Sequence, residues 1–311
     1  MLVDFPDYSH ANPWQVKMID TCAPMEVKRV NELKEKDCYA FHISWEDYIF
    51  KSSRRKYGLK KVLKDTEKFL NNQSKHSKII WTLHNLTSHS FQNKTMESEI
   101  REMLMDYSSL IILMSKKHEF MIPNKHKKKI QVVPHFIDNE NFYNKNLTKF
   151  KYPTFFKYGA FRGNSNPELY LNILKNQKIR KFVSDPKLDF NQDDINSFIT
   201  KRRFSSTEEL IFSNFSNFSI FYRKPNLNSS VLNHYIGNKL VVLHNSESVQ
   251  YFDLPSIYSE FNRDITSIEP EEVLNFIQIL KNNQSSVNKF INERKPEVIS
   301  KIFWTRVLNL Q

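Results

Sequence analysis

Glycine is scarce: the 311 residues contain four, Gly58, Gly159, Gly163 and Gly237. A GxGxxG or Walker-type phosphate loop uses its glycines for a tight turn and for close approach of backbone to phosphate, and no such loop can be written here. Dinucleotide redox chemistry and P-loop phosphoryl transfer therefore lose their signatures. The two cysteines, Cys22 and Cys38, cannot build a disulfide framework, and no CxxC, HExxH or Cys/His cluster supplies metal-ligand spacing. A reducing, cytoplasmic environment is the expectation. No Asp-x-Asp triplet occurs, so a metal-bridged diphosphate has no signature either, and neither metal nor cofactor is expected. The apolar start of the chain is broken by Asp4 and Asp7, which predicts neither a signal peptide nor a membrane span.

What is present is positive charge and aromatic mass. Lys and Arg number 46 against 34 Asp and Glu, a net charge of +12, and the excess is shared by both halves of the chain. An anionic partner follows from this charge, without its identity. Lys51 to Lys61 and Lys125 to Lys129 are basic runs suited to peripheral contact with an anionic membrane or to a solvated surface. With 40% hydrophobic and 14% aromatic residues, the chain can bury two sheets, and its length fits two α/β domains of about 150 residues each.

Short β-type runs alternate with helix-period segments, the pattern of βα units and parallel sheets. In the first half strands are expected at Met1 to Phe5, Cys38 to Ile43, Ile79 to Leu83, Leu110 to Met114 and Ile130 to Val133. Leu59, Val62, Leu63, Phe69 and Leu70 trace one helical face, and Met96, Ile100, Leu104 and Tyr107 another. The polar stretch from Asp138 to Tyr152 is the best linker. A second series follows, with strands at Thr154 to Tyr158, Ile179 to Val183, Phe218 to Tyr222 and Lys239 to Leu243, and a shorter one near Ile257. Helices are expected from the Asn166-Pro167 cap, near Asn228-Ser229-Ser230, over Glu271 to Asn282 and over Ser286 to Ser300, with Phe303 and Trp304 as late apolar anchors.

Candidate functional residues gather where strands run into polar residues, the ligand-binding end of open α/β sheets. Arg162 and Arg223 each follow a strand and precede a capped helix. A helix N-terminus offers free N-H groups and partial positive charge, and an arginine adds a two-pronged donor, so both could face one phosphate. An ordinary surface ion pair is the competing reading for either alone. In the first half His84, Asn85 and His89 follow one strand, and His42, Trp45, Glu46 and Asp47 follow another. A histidine and an amide could hold a hydroxylated acceptor, Trp45 could stack under a sugar ring, and Glu46, Asp47 and the histidines are the clustered candidates for acid-base work. A satisfied core histidine or a core aromatic is the competing explanation for each.

The chain resembles GT-B glycosyltransferases of bacterial surface-polysaccharide assembly (capsule, O-antigen or exopolysaccharide). The resemblance rests on Asp7-Tyr8 with Asn12-Pro13-Trp14, on His42-Ile43-Ser44-Trp45 with Asp47, and on Trp81 to Leu86 with His89. It continues through Val133-Pro134-His135, Gly159-Ala160-Phe161-Arg162, Tyr222-Arg223 with Asn228-Ser229-Ser230, and Trp304, in family order. It implies two Rossmann-like domains facing a cleft, an acceptor domain at 1–150 and a nucleotide-sugar domain at 151–290, with residues 291–311 as a helix packing back on the first. Carried over by position, Arg162, Tyr222, Arg223, Asn228, Ser229, Ser230 and His135 would bind the donor. Asn12, His42, Trp45 and Asn85 would bind the acceptor, and His84, His89, Asp47 and Glu46 would serve catalysis.

The expected activity is metal-independent, hexosyltransferase-type transfer from a nucleoside-diphosphate sugar to a lipid-linked or growing saccharide. Ser90 stands where the family has an acid, and Lys224 and Leu232 stand near the places of a glutamate pair. These departures support an alternative, a degenerate family member acting as partner or scaffold. A basic nucleic-acid-binding protein is a further alternative, although no interleaved aromatic and basic signature supports one.

Overall fold

The computed structural model describes the chain apart from residues 8, 10–12, 50–57, 87–93, 138–151, 158–172, 174, 185–191, 195–196, 201, 203, 223–226, 228, 264–267 and 311. Two compact units result, Met1–Phe136 with Pro296–Gln311, and Ile137–Lys295.

The first unit is built on β1 (Leu2–Phe5), β2 (Val27–Arg29), β3 (Ala40–Ile43), β4 (Lys78–Leu83), β5 (Leu110–Leu113) and β6 (Ile130–Val132). β1, β3 and β5 are buried along their whole length, as expected for runs such as Leu-Ile-Ile-Leu in a parallel sheet covered on both faces. The order is β2-β1-β3-β4-β5-β6 and every pairing is parallel. Helices α1 (Leu59–Gln73) and α2 (Lys94–Tyr107) belong to this unit. A helical segment runs from Pro13 to Asp20. Trp14, Met18 and Ile19 on it join Ile80, Ile112 and Phe303 in one core.

The second unit holds β7 (Thr154–Lys157), β8 (Arg180–Ser184), β9 (Gln192–Asp194), β10 (Ser197–Thr200), β11 (Phe218–Phe221) and β12 (Val241–His244). Their order is β12-β11-β7-β8-β10-β9, parallel except for the β9-β10 pair. Among the described residues the α-helices of this unit include α3 (Ser206–Phe215), α4 (Ser230–Gly237), α5 (Pro270–Asn282) and α6 (Gln284–Asn292), beside a one-turn α-helix at Ser246–Val249. The final helix, α7 (Pro296–Leu308), is part of the first unit: the Trp304 indole donates to the Ile19 carbonyl at 2.7 Å.

Two expectations are corrected. The helix expected over Ser286 to Ser300 is broken into α6 and α7. Pro296 opens α7, and a proline disfavours helical backbone in the residue before it. The strand expected near Ile257 is a 3-10 helix, Ser256–Phe261. Its Tyr258 hydroxyl donates to the Leu240 carbonyl at 2.9 Å, Tyr258 and Phe261 are buried, and the segment pairs with the sheet through a single bridge from Asn262 to His244. β2, β9 and β10 are additions; at three or four residues each they carry too little pattern to be read beforehand. α3 was also unanticipated, although its capping box, Ser205 with Glu208, is formed in full. The linker and the Asn166 cap lie outside the described residues.

Candidate functional site

In an open α/β sheet, ligands bind at the carboxyl ends of strands where the strand order reverses. The order β2-β1-β3 places that reversal in the first unit between β1 and β3. Three rings gather at these strand ends. Trp14 follows β1, Trp45 follows β3 and His84 follows β4. The His84 imidazole stacks on Trp45 with centroids 4.4 Å apart and planes at 12°. It also meets Trp14 edge-on at 4.3 Å, and Trp14 meets Trp45 edge-on at 5.3 Å. Gln15 donates its amide to the Pro6 carbonyl at 2.6 Å, fastening the segment that carries Trp14 to the end of β1.

His84 is 1% exposed, and neither ring nitrogen has a hydrogen-bond partner among the described residues. Burial holds its pKa well below 6.5, with help from His135 and His42, so at neutral pH the ring is uncharged, with one nitrogen able to accept a proton and the other to donate one. A buried polar group left unpaired costs about 1–3 kcal/mol. Such a group at the carboxyl end of a strand is a candidate for pairing with a ligand.

His135 lies close enough to influence His84. Its Nδ1 meets the Phe136 carbonyl at 2.7 Å, and burial pushes its pKa down to about 4, opposed by that hydrogen bond. Asn85 follows His84 half-buried, its carbonyl accepting from Arg101 Nη2 at 2.9 Å.

Other candidates are engaged inside the fold. His42 is fully buried: Nε2 meets Thr82 Oγ1 at 2.8 Å, and Nδ1 faces Asp4 at 2.9 Å and Ser44 Oγ at 3.2 Å. Both of its nitrogens are engaged within the sheet, which leaves neither for an acceptor. Glu46 is 1% exposed, its Oε1 held by Arg101 at 2.8 Å while Oε2 accepts from the Trp81 indole at 3.4 Å. Burial pushes its carboxyl up, and Arg101 opposes that shift. Asp47 is buried in the turn after Glu46. Arg101 escaped the sequence reading. It lies on the helix whose apolar face was read, and only an acid four residues earlier, Glu97, hinted at a role.

In the second unit the order reverses between β7 and β11. Tyr222 follows β11, and its hydroxyl donates to the Arg263 carbonyl while its ring enters the core. Ser229 caps α4, its side chain accepting from the Leu232 amide at 3.2 Å, and Ser230 is exposed at the first position of that helix. Asn12, His89, Arg162, Arg223 and Asn228 lie outside the described residues. Among the described residues no group of three His, Cys, Asp or Glu side chains converges as metal ligands, and no helix is long and apolar enough to cross a membrane.

No protein-family model matches the chain, and no curated protein matches its sequence. Its architecture nevertheless recurs in solved structures. The E. coli trehalose-6-phosphate protein bound with UDP-2-fluoro glucose superposes with a TM-score of 0.55 at 11% identity, over 89% of this chain and 74% of that one. An alpha,alpha-trehalose-phosphate synthase (UDP-forming) from Burkholderia vietnamiensis gives 0.51 at 8% identity, over 86% and 74%. An S. aureus TarM mutant in complex with Fondaparinux, alpha-GlcNAc-glycerol and UDP gives 0.50 at 10% identity, over 88% of this chain and 56% of that chain. These likenesses establish the fold, a mixed α/β architecture with two largely parallel sheets.

Proposed function

We propose that the chain is a glycosyltransferase that moves a sugar from a UDP- or GDP-sugar to a hydroxyl of a lipid-linked or growing saccharide in cell-surface polysaccharide synthesis. The observation that carries this reading is His84, buried between two indoles at a ligand-binding strand end with both ring nitrogens unpaired. Solved proteins of the same fold hold UDP or UDP-2-fluoro glucose, which supports a nucleotide-sugar donor.

In this reaction the acceptor oxygen attacks the anomeric carbon, the bond from that carbon to the diphosphate oxygen breaks, and its electrons leave with the diphosphate. The acceptor proton passes to neutral His84. Trp45 offers its face to a sugar ring, and Asn85 holds a hydroxyl. On the donor side Arg162, Arg223 and the N-terminus of α4, with Ser229, Ser230 and Asn228, stabilise the developing negative charge, in which metal-free catalysis is the expectation.

Peripheral contact with the inner face of an anionic cytoplasmic membrane belongs to the same reading. Its support is the surface formed by two 3-10 helices, Lys116–Met121 and Asn124–Lys129. Lys116, Lys117, Lys127 and Lys128 are exposed on them, as is Phe120 at 60%. Charge and an apolar wedge together suit an anionic bilayer.

The test is thermal-shift screening against UDP, GDP, CMP and their sugar conjugates, with and without EDTA, on wild type and Arg223→Ala. EDTA-insensitive stabilisation by one diphosphate series, lost in the variant, is expected. Silence of a well-folded sample across the panel would overturn the reading in favour of a degenerate partner.

A further inference from the structure

We propose that Arg101 is the positioning residue of this site: its single guanidinium fastens together the residues that directly follow the two stacked rings, and so sets the seat of His84. The proposal rests on the transferase reading for its catalytic consequence only. Trp45 precedes Glu46 and His84 precedes Asn85. Arg101 Nη2 donates to Glu46 Oε1 at 2.8 Å and to the Asn85 carbonyl at 2.9 Å, and Nη1 donates to the Leu86 carbonyl at 2.7 Å. Glu97, one turn earlier on α2, lies 3.0 Å from Nη2 and aims the side chain. The strand ends of β3 and β4 are thus tied to each other through one planar group on α2.

A cavity of about 470 Å³, lined by Leu86, Glu97, Arg101, Met121 and Pro123 among others, lies beside Leu86. Arg101 is 11% exposed in its side chain and its partner Glu46 only 1%, so these bonds form with little competition from water. Lysine could not substitute, because an ammonium lacks the fork that reaches carbonyls and carboxylates in one plane.

Arg101→Lys and Arg101→Gln test the assignment by two readouts. The first is the NMR titration of the His84 ring, identified by its loss in His84→Gln. In wild type the ring titrates well below 6.5; in both variants the loosened ring meets water and its midpoint moves up toward 6.5. This readout stands whether or not the protein is a transferase. The second is turnover with the nucleotide sugar chosen by thermal shift. Here kcat falls about 10 to 100-fold, less in Arg101→Lys than in Arg101→Gln, with donor KM unchanged, as for loss of an interaction made in the transition state. A fall in melting temperature with the His84 midpoint unmoved would make Arg101 a structural ion pair and overturn the proposal. If Arg101→Gln does not fold, Arg101→Lys and Glu97→Gln decide by the same titration.

Discussion

His42 and His84 stand on neighbouring strands of one sheet, both inaccessible to solvent, with opposite surroundings. His42 sits within β3, where Asp4 on β1, Thr82 on β4 and Ser44 just past the end of β3 engage both its nitrogens. His84 sits just past the end of β4, between two indoles, with no partner for either nitrogen. Burial is common to both and therefore does not distinguish a structural histidine from a chemical one. The difference lies in satisfaction: inside the sheet an unpaired imidazole would only cost stability, whereas past the strand end the same unpaired ring is what the proposed proton acceptor requires.

The largest expected effect is on His84. His84→Gln should lower turnover about 100 to 10,000-fold, the range of a lost general base, while melting temperature stays level or rises. Activity within tenfold of wild type would abolish the contrast. Next comes His42→Phe, which removes one partner of the buried Asp4 carboxylate, leaving it the Ser44 hydroxyl and, 3.8 Å away, Arg29, and which also unpairs the Thr82 hydroxyl. It should destabilise the fold by about 1–3 kcal/mol, as leaving buried polar groups short of a partner does, and urea unfolding would measure it. A stable His42→Phe protein lacking only activity would reverse the two roles.

The pH dependence is smaller and its sign follows from the shifts. His84 and His135 both have folded pKa values below 6.5, His135 at about 4. The unfolded chain therefore binds more protons between those limits, and stability falls as pH drops from 6.5 toward 4. Melting temperature measured from pH 7.5 to 4 should decline over that window and be flat above it. Turnover limited by His84 should likewise hold level from pH 8 down through 6.5. Smallest is Trp45→Leu, expected to weaken acceptor binding about tenfold, the worth of one aromatic contact. An unchanged acceptor KM would restrict Trp45 to the core.

Much of the fold was legible from local pattern. Runs such as Ile79 to Leu83 and Phe218 to Tyr222 read as buried strands because both faces of a parallel sheet demand apolar residues, and nearly every expected strand formed within a residue or two. The Ser229 cap of α4 was readable for the same local reason. The failures were local too: Pro296 punctuates a run that apolar spacing alone joined, and Ile257 is apolar in a segment too tight to pair. Of the site, the strand-end position of His84 was visible, but whether its nitrogens were engaged was not.

Sequence by itself determined the two α/β series, the helix starts and the strand ends that carry polar residues, because these depend on side-chain period and on neighbours a few positions apart. Tertiary structure alone decided which buried groups find partners. Arg101 reaches Glu46 across 55 residues and His42 reaches Thr82 across 40. Separations of that size leave no trace in spacing. They are set only when strands align side by side, and that alignment is what left His42 satisfied and His84 bare.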